Sequence, residues 1–155
     1  AHDRIEVEDS AVAALKFKNG AVGVIQGSTA CYPGHSQEVH LCGSDGSVFM
    51  KDNQFRVWQF KKETAADKKI IETFKENAGL AGVGASDPKA ISFKRHQLAF
   101  EDVVRALKAG KEPPISGRES RRSIEVILAI YQSALSGGKR VDLPLKKTPA
   151  RRSFR

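Results

Sequence analysis

Cys31, His35, His40 and Cys42 are all residue types that ligate zinc, and they fall close together. Their C-x3-H-x4-H-x-C spacing fits no common structural zinc pattern, so no metal site is assigned. His96 opens a helical segment, where an imidazole can hydrogen-bond a bound hydroxyl or cap the helix itself. Tyr32 lies in the turn Tyr32-Pro33-Gly34, where it offers a flat apolar face and a hydroxyl, or simply covers a sheet edge. Arg118, Arg121 and Arg122 crowd the start of a second helix, where cations oppose the helix dipole. They either grip a phosphate or acidic partner, or form a solvated end paired with Glu119 and Glu125; the second reading is preferred. Trp58, with Phe55 and Phe60, reads as sheet packing. No phosphate loop or Ser-His-Asp set is read, and no catalytic residue is assigned.

The elements that must position these groups begin with alternation. Ser10–Lys18 places Ala11, Ala13, Leu15 and Phe17 on one face, and Asn19-Gly20 predicts a tight hairpin with both residues at positive φ. Ala21–Ala30 returns with small residues. Gln37–Cys42 is a third strand, Gly43–Gly46 a turn, and Ser47–Lys51 with Phe55–Phe60 a hairpin across Asp52-Asn53. Lys61–Ala90 reads as a surface excursion: a charged stretch of helical composition but weak amphipathicity, then a Gly-, Ala- and Ser-rich run at Gly79–Lys89. Two amphipathic helices follow. The first carries Phe93, Gln97, Phe100, Val104 and Leu107 and ends at Gly110. The second follows Pro113-Pro114, is assigned Ser120 as N-cap, carries Ile124, Ile127, Leu128, Tyr131 and Leu135, and ends at Gly137-Gly138. Val141–Pro144 is expected to be a short closing strand.

Strands first and helices after give an α+β fold. The expectation is one open, mainly antiparallel sheet of five or more strands, with helices on one face and the other free for oligomer contacts. Neither parity of Ala21–Ala30 carries a charge, so the strand reads as covered on both sides and predicts self-association, as a dimer or tetramer.

Composition bounds the rest. With 40% hydrophobic and 28% charged residues, the 155-residue chain is ordinary for a globular protein. No apolar run is long enough for a membrane span, and two cysteines make no disulfide framework, so a cytoplasmic location is expected. Of the net charge of +8, Lys146, Lys147, Arg151, Arg152 and Arg155 contribute +5 and leave +3 for the body. Residues 1–145 are therefore read as the domain and 146–155 as a basic tail, mobile in solution. Charge confined to a tail does not favour nucleic acid as the partner.

Several segments together carry a family likeness: Val7–Ala11, Phe17–Ile25, Gly27–Ala30 and Gly43–Val48, then Gln97, Phe100, Val103, Ala106, Gly110 and Pro113, then Ser116-Gly117 leading to Glu125, Ile127, Ala129, Tyr131, Ser133 and Ala134. In this order the chain resembles the C-terminal domain of the glucose-fructose oxidoreductase/inositol dehydrogenase (Gfo/Idh/MocA) family. The resemblance implies an NAD(P)-dependent oxidoreductase acting on a sugar, cyclitol or related polyol. It further implies that an N-terminal Rossmann domain, absent from this chain, binds NAD or NADP. The C-terminal domain would wall the substrate cleft and join subunits. The chain has no GxGxxG after a strand; Gly79–Gly84 imitates only part of one. The family's catalytic lysine and Asp/His pair match no residue here, so no catalysis is expected of the chain alone. His96 and Tyr32 are the candidate substrate-binding residues. The alternatives are a stand-alone binding or scaffolding module of the same fold, and a nucleic-acid binder acting through the tail.

Overall fold

The computed structural model describes residues 4–52, 54–76 and 93–147. The strands are β1 (Ser10–Lys16), β2 (Val22–Ser28), β3 (Glu38–Gly43), β4 (Gly46–Lys51) and β5 (Gln54–Phe60). The helices are α1 (Ala65–Glu76), α2 (Lys94–Lys108) and α3 (Gly117–Leu135). Strands precede helices, so the α+β class holds. The five strands form two antiparallel sheets, β1-β2 and β3-β4-β5, rather than the single sheet expected. The segment between β2 and β3 carries Pro33, which has no N–H to donate to a ladder, and Gly34 at φ +91°. β3 then finds its partner in β4, across a turn of two residues.

The chain divides into two compact units, residues 1–30 with 102–155, and residues 31–101. In the first, β1 and β2 pair from Ser10↔Ser28 to Lys16↔Val22. The loop between them differs from the two-residue turn expected. Phe17 N–H donates to the Ala21 carbonyl (2.9 Å) and Gly20 N–H to the Phe17 carbonyl (3.0 Å), which leaves a three-residue loop. Only Gly20 takes positive φ (+90°), while the Asn19 side chain accepts from the Ala21 N–H. Ala11, Ala13, Leu15 and Gly23 share the half-buried face, and the Phe17 ring approaches Gly23 closely. Val12, Ala14, Val22 and Val24 share the other face.

Both long helices stop by the same device. After α2, Lys111 N–H donates to the Ala106 carbonyl and Gly110 N–H to Leu107, with Gly110 at φ +62°. After α3, Gly138 N–H donates to Ser133 and Gly137 N–H to Ala134, with Gly137 at φ +74°. These are paired 6→1 and 5→2 bonds that only a left-handed residue closes. The N-cap of α3 is Ser116, not Ser120: its Oγ accepts from the Glu119 N–H at 3.3 Å. The helix begins as soon as the prolines allow, and Ser116-x-x-Glu119 is the spacing of a capping box. Val141–Pro144 forms no strand. Instead, Arg140 pairs with Asp142, and the Leu145 N–H donates to the Glu125 carboxylate at 2.7 Å.

In the second unit the β3–β4 turn is Ser44-Asp45, and β4–β5 turns through Asp52, at φ +50°. The register of β4 on β5 slips between Phe49 and Met50, leaving Arg56 unpaired. That bulge resets the alternation, so Phe55, Trp58 and Phe60 come to one face despite odd spacing. Their rings contact edge-on, Phe55–Trp58 at 4.7 Å and Trp58–Phe60 at 5.5 Å, and Phe74 of α1 meets Phe55 at 4.3 Å. The expected excursion after Lys61 is thus, over its first part, a helix docked on β5. The remainder, including the partial glycine motif at Gly79–Gly84 and the expected helix start at Asp87-Pro88, lies outside the described residues.

Asp67 joins α1 to the aromatic group. Its carboxylate accepts from the Trp58 indole N–H at 3.0 Å and from the Thr64 N–H and hydroxyl at 2.7 and 2.6 Å. The Thr64 hydrogen bonds, then the indole, hold its pKa below the ordinary carboxylate range. A lowered folded-state pKa contributes stability that is present above the unfolded value, about 3.9, and is lost as pH falls through the folded value. Trp58 is the sole tryptophan, so its fluorescence reports this contact. Emission is expected to shift as pH falls below about 4, and Asp67→Asn is expected to abolish that acid step.

Gly46 faces the end of β5. A Cβ there would overlap the Phe60 ring and come within 2.6 Å of the Gln59 carbonyl oxygen. Gly46→Ala is expected to destabilise the fold by roughly 1–3 kcal/mol in urea unfolding, because backbone on the far side cannot yield.

Candidate functional site

His96 lies in the first turn of α2 and is exposed. Tyr32 is 97% exposed, four residues beyond the end of β2 at Ser28. Both belong to the 31–101 unit. No hydrogen bond or ring contact joins them among the described residues. Among the described residues neither polar group has a hydrogen-bond partner, and the two do not form a preassembled cleft.

The zinc-type residues separate. His40 stacks on Phe49, its direct cross-strand neighbour, at 4.4 Å and 19°. Its Nε2 lies 3.4 Å from Glu38, which also pairs with Lys51 at 3.1 Å. Cys31 and Cys42 are free and exposed. Among the described residues no three potential ligands converge. Glu38, His40, Phe49 and Lys51 make a polar strip on the sheet face opposite the aromatic group. The hydrogen bond and charge of Lys51, with a smaller part from His40, hold the Glu38 carboxyl below its usual range. The sequence reading passed over this strip. Its signal was the two-residue turn, which fixes Glu38 opposite Lys51.

In the other unit, Tyr131 of α3 donates its hydroxyl to Glu8 at 2.7 Å, and the neighbouring carboxylate pushes the phenol up from its usual pKa. This tie across the sequence fastens the segment before β1 to the C-terminal part of α3. The arginines at the start of α3 divide. Arg122 pairs with Glu119 at 3.1 Å, as the preferred reading required, but Glu125 is taken by the Leu145 N–H. Arg121 instead lines a shallow cavity of about 150 Å³ with Ile124, Glu125, Leu128, Leu145, Lys146 and Lys147.

A dinucleotide fits poorly onto the described residues. Pyrophosphate is held where a parallel strand turns through glycines into a helix N-terminus. Every described strand pairing is antiparallel. The first turn of α1 already carries the Asp67 carboxylate, and that of α3 is capped by Ser116. No described helix is long and apolar enough to cross a membrane.

A family model described as "Oxidoreductase family, C-terminal alpha/beta domain" matches residues 2–143, nearly the whole chain. No curated protein and no solved structure matches the chain.

Proposed function

Because the chain belongs to the oxidoreductase family as its C-terminal alpha/beta domain, we propose that it is the substrate-side and subunit-contact part of an NAD(P)-dependent oxidoreductase acting on a sugar, cyclitol or related polyol. The family match carries this reading. In it, the dinucleotide and the acid/base groups belong to a Rossmann domain outside this chain. The His96 imidazole and Tyr32 phenol supply polar contacts to substrate hydroxyls, supported by their exposure and their place in one unit. The reading places the protein in the cytoplasm, in keeping with its free cysteines.

The subunit-contact role is supported by one strand face. Val12, Val22 and Val24 are 70%, 80% and 71% exposed and lie side by side through the pairs Ala14↔Val24 and Val12↔Gln26. Contiguous apolar surface of this kind marks a contact site. We assign it to a second copy of the chain. Wild-type protein is expected to sediment as a dimer or tetramer and Val24→Asp as a monomer; a monomeric wild type at high concentration removes the subunit-contact role.

The catalytic reading is tested in two steps. Calorimetric titration of NAD and NADP into the 155-residue chain is expected to show no saturable binding, and tight binding overturns the proposed division of labour. With the chain joined to the segment encoded upstream of it, polyol oxidation is expected to depend on NAD or NADP. There, His96→Ala and Tyr32→Ala are each expected to raise KM about fivefold, the loss of one neutral hydrogen bond. Unchanged KM in both variants rejects the substrate-site assignment.

A further inference from the structure

The arginine group at the start of α3 is left without a full set of counter-charges. Arg122 uses Glu119, and Glu125 is held by a backbone N–H, so Arg121 has no ion pair among the described residues. Lys146 and Lys147 approach the same place for a structural reason. The Leu145 N–H to Glu125 hydrogen bond, at 2.7 Å, pins the C-terminal segment against α3. The two lysines next along the chain line the cavity beside it.

The cavity that results has three cations, Arg121, Lys146 and Lys147, and one carboxylate, Glu125, giving a net charge of +2. Ile124, Leu128 and Leu145 supply its apolar lining. Arg121 also lies in the early part of α3, where the helix dipole disfavours a cation and an anion relieves it. The volume of about 150 Å³ suits a compact anion. We propose that this cavity binds a phosphate group, either free phosphate or the phosphate of a small phosphorylated metabolite. The planar arginine fork offers paired donors to two phosphate oxygens, and the lysines act as point charges on the others. The apolar lining, with Ile124 57% exposed, gives the carbon part of a phosphorylated metabolite a surface to cover. This inference rests on the cavity and is independent of the proposed oxidoreductase role.

The test is a nuclear magnetic resonance titration of the full 155-residue chain with inorganic phosphate and, separately, with a hexose phosphate, at ionic strength held constant with chloride. Saturable shifts are expected at the amides of residues 121–128 and 145–147. Arg121→Gln and Lys146→Gln are each expected to weaken binding about tenfold, the loss of a charge-assisted hydrogen bond. Lys61→Gln, exposed and in the other unit, removes the same charge and is expected to leave affinity unchanged. Tighter binding of the hexose phosphate identifies a phosphorylated metabolite as the ligand; equal affinities identify free phosphate. The proposal is overturned by an absence of saturable shifts, by Lys61→Gln weakening binding as much as Arg121→Gln, or by a short DNA duplex displacing both probes with higher affinity.

Discussion

Apolar surface without cover is the constraint on which this structure turns. Among the described residues only Ala106 and Ala129 are buried hydrophobics, at 8% and 7% exposure. Small side chains of this kind remove little area from water, at roughly 25 cal/mol per Å². The larger apolar groups that usually fill a core, such as Val22, Val24, Leu41, Phe100 and Leu107, stay exposed. Folding is driven mainly by burial of such groups against the entropy of ordering the chain. A surface this apolar is what the proposed contact with neighbouring copies would cover.

Local order is nevertheless specified, and by directional interactions. Glycines at 20, 110 and 137 take the left-handed conformations that end β1, α2 and α3. Ser116 starts α3, and Thr64 with Asp67 starts α1. The one extended aromatic group is made possible by a bulge at Arg56, which brings Phe55 into line with Trp58 and Phe60. Tyr131 and Glu8 tie residues 123 positions apart. Such bonds contribute about 1 kcal/mol each and fix geometry more than they supply stability. Among the described residues, caps, turns and cross-strand pairs thus specify the local geometry.

What could be read from the sequence follows the same division. The strands, the α+β class, the glycine stops at Gly110 and Gly137 and the packing role of Trp58 were legible because each depends on near neighbours. The family was legible because its signal is the order of many weak segments, from Val7 to Ala134. The single sheet was not, because alternation says which residues face together and nothing about which strand pairs with which. Asn19 misled because a two-residue and a three-residue loop share the same Asn-Gly signal, and Ser120 because Ser116 stood four residues nearer the prolines. α1 was legible only as helical composition, since its stripe, Asp67, Ile71 and Phe74, is only three residues long and sits among lysines. The candidate substrate residues were named without geometry. The structure shows His96 and Tyr32 exposed in one unit and does not join them.

The polar groups follow the same division of labour. Where this fold needs charge for itself, it pairs it closely: Glu38 with Lys51 and His40, Arg122 with Glu119, Arg105 with Asp102. These pairs are exposed and contribute little to stability, so their value is in fixing side-chain position. His96, Tyr32, Arg121, Lys146 and Lys147 stand outside these pairings, at helix starts, a turn and a pinned terminal segment. A polar group on an ordered backbone, with no partner of its own, loses little on meeting a ligand, because no internal bond must first be broken. That economy is the physical reason for looking to these residues for binding, while the paired residues on the same elements hold the backbone that presents them.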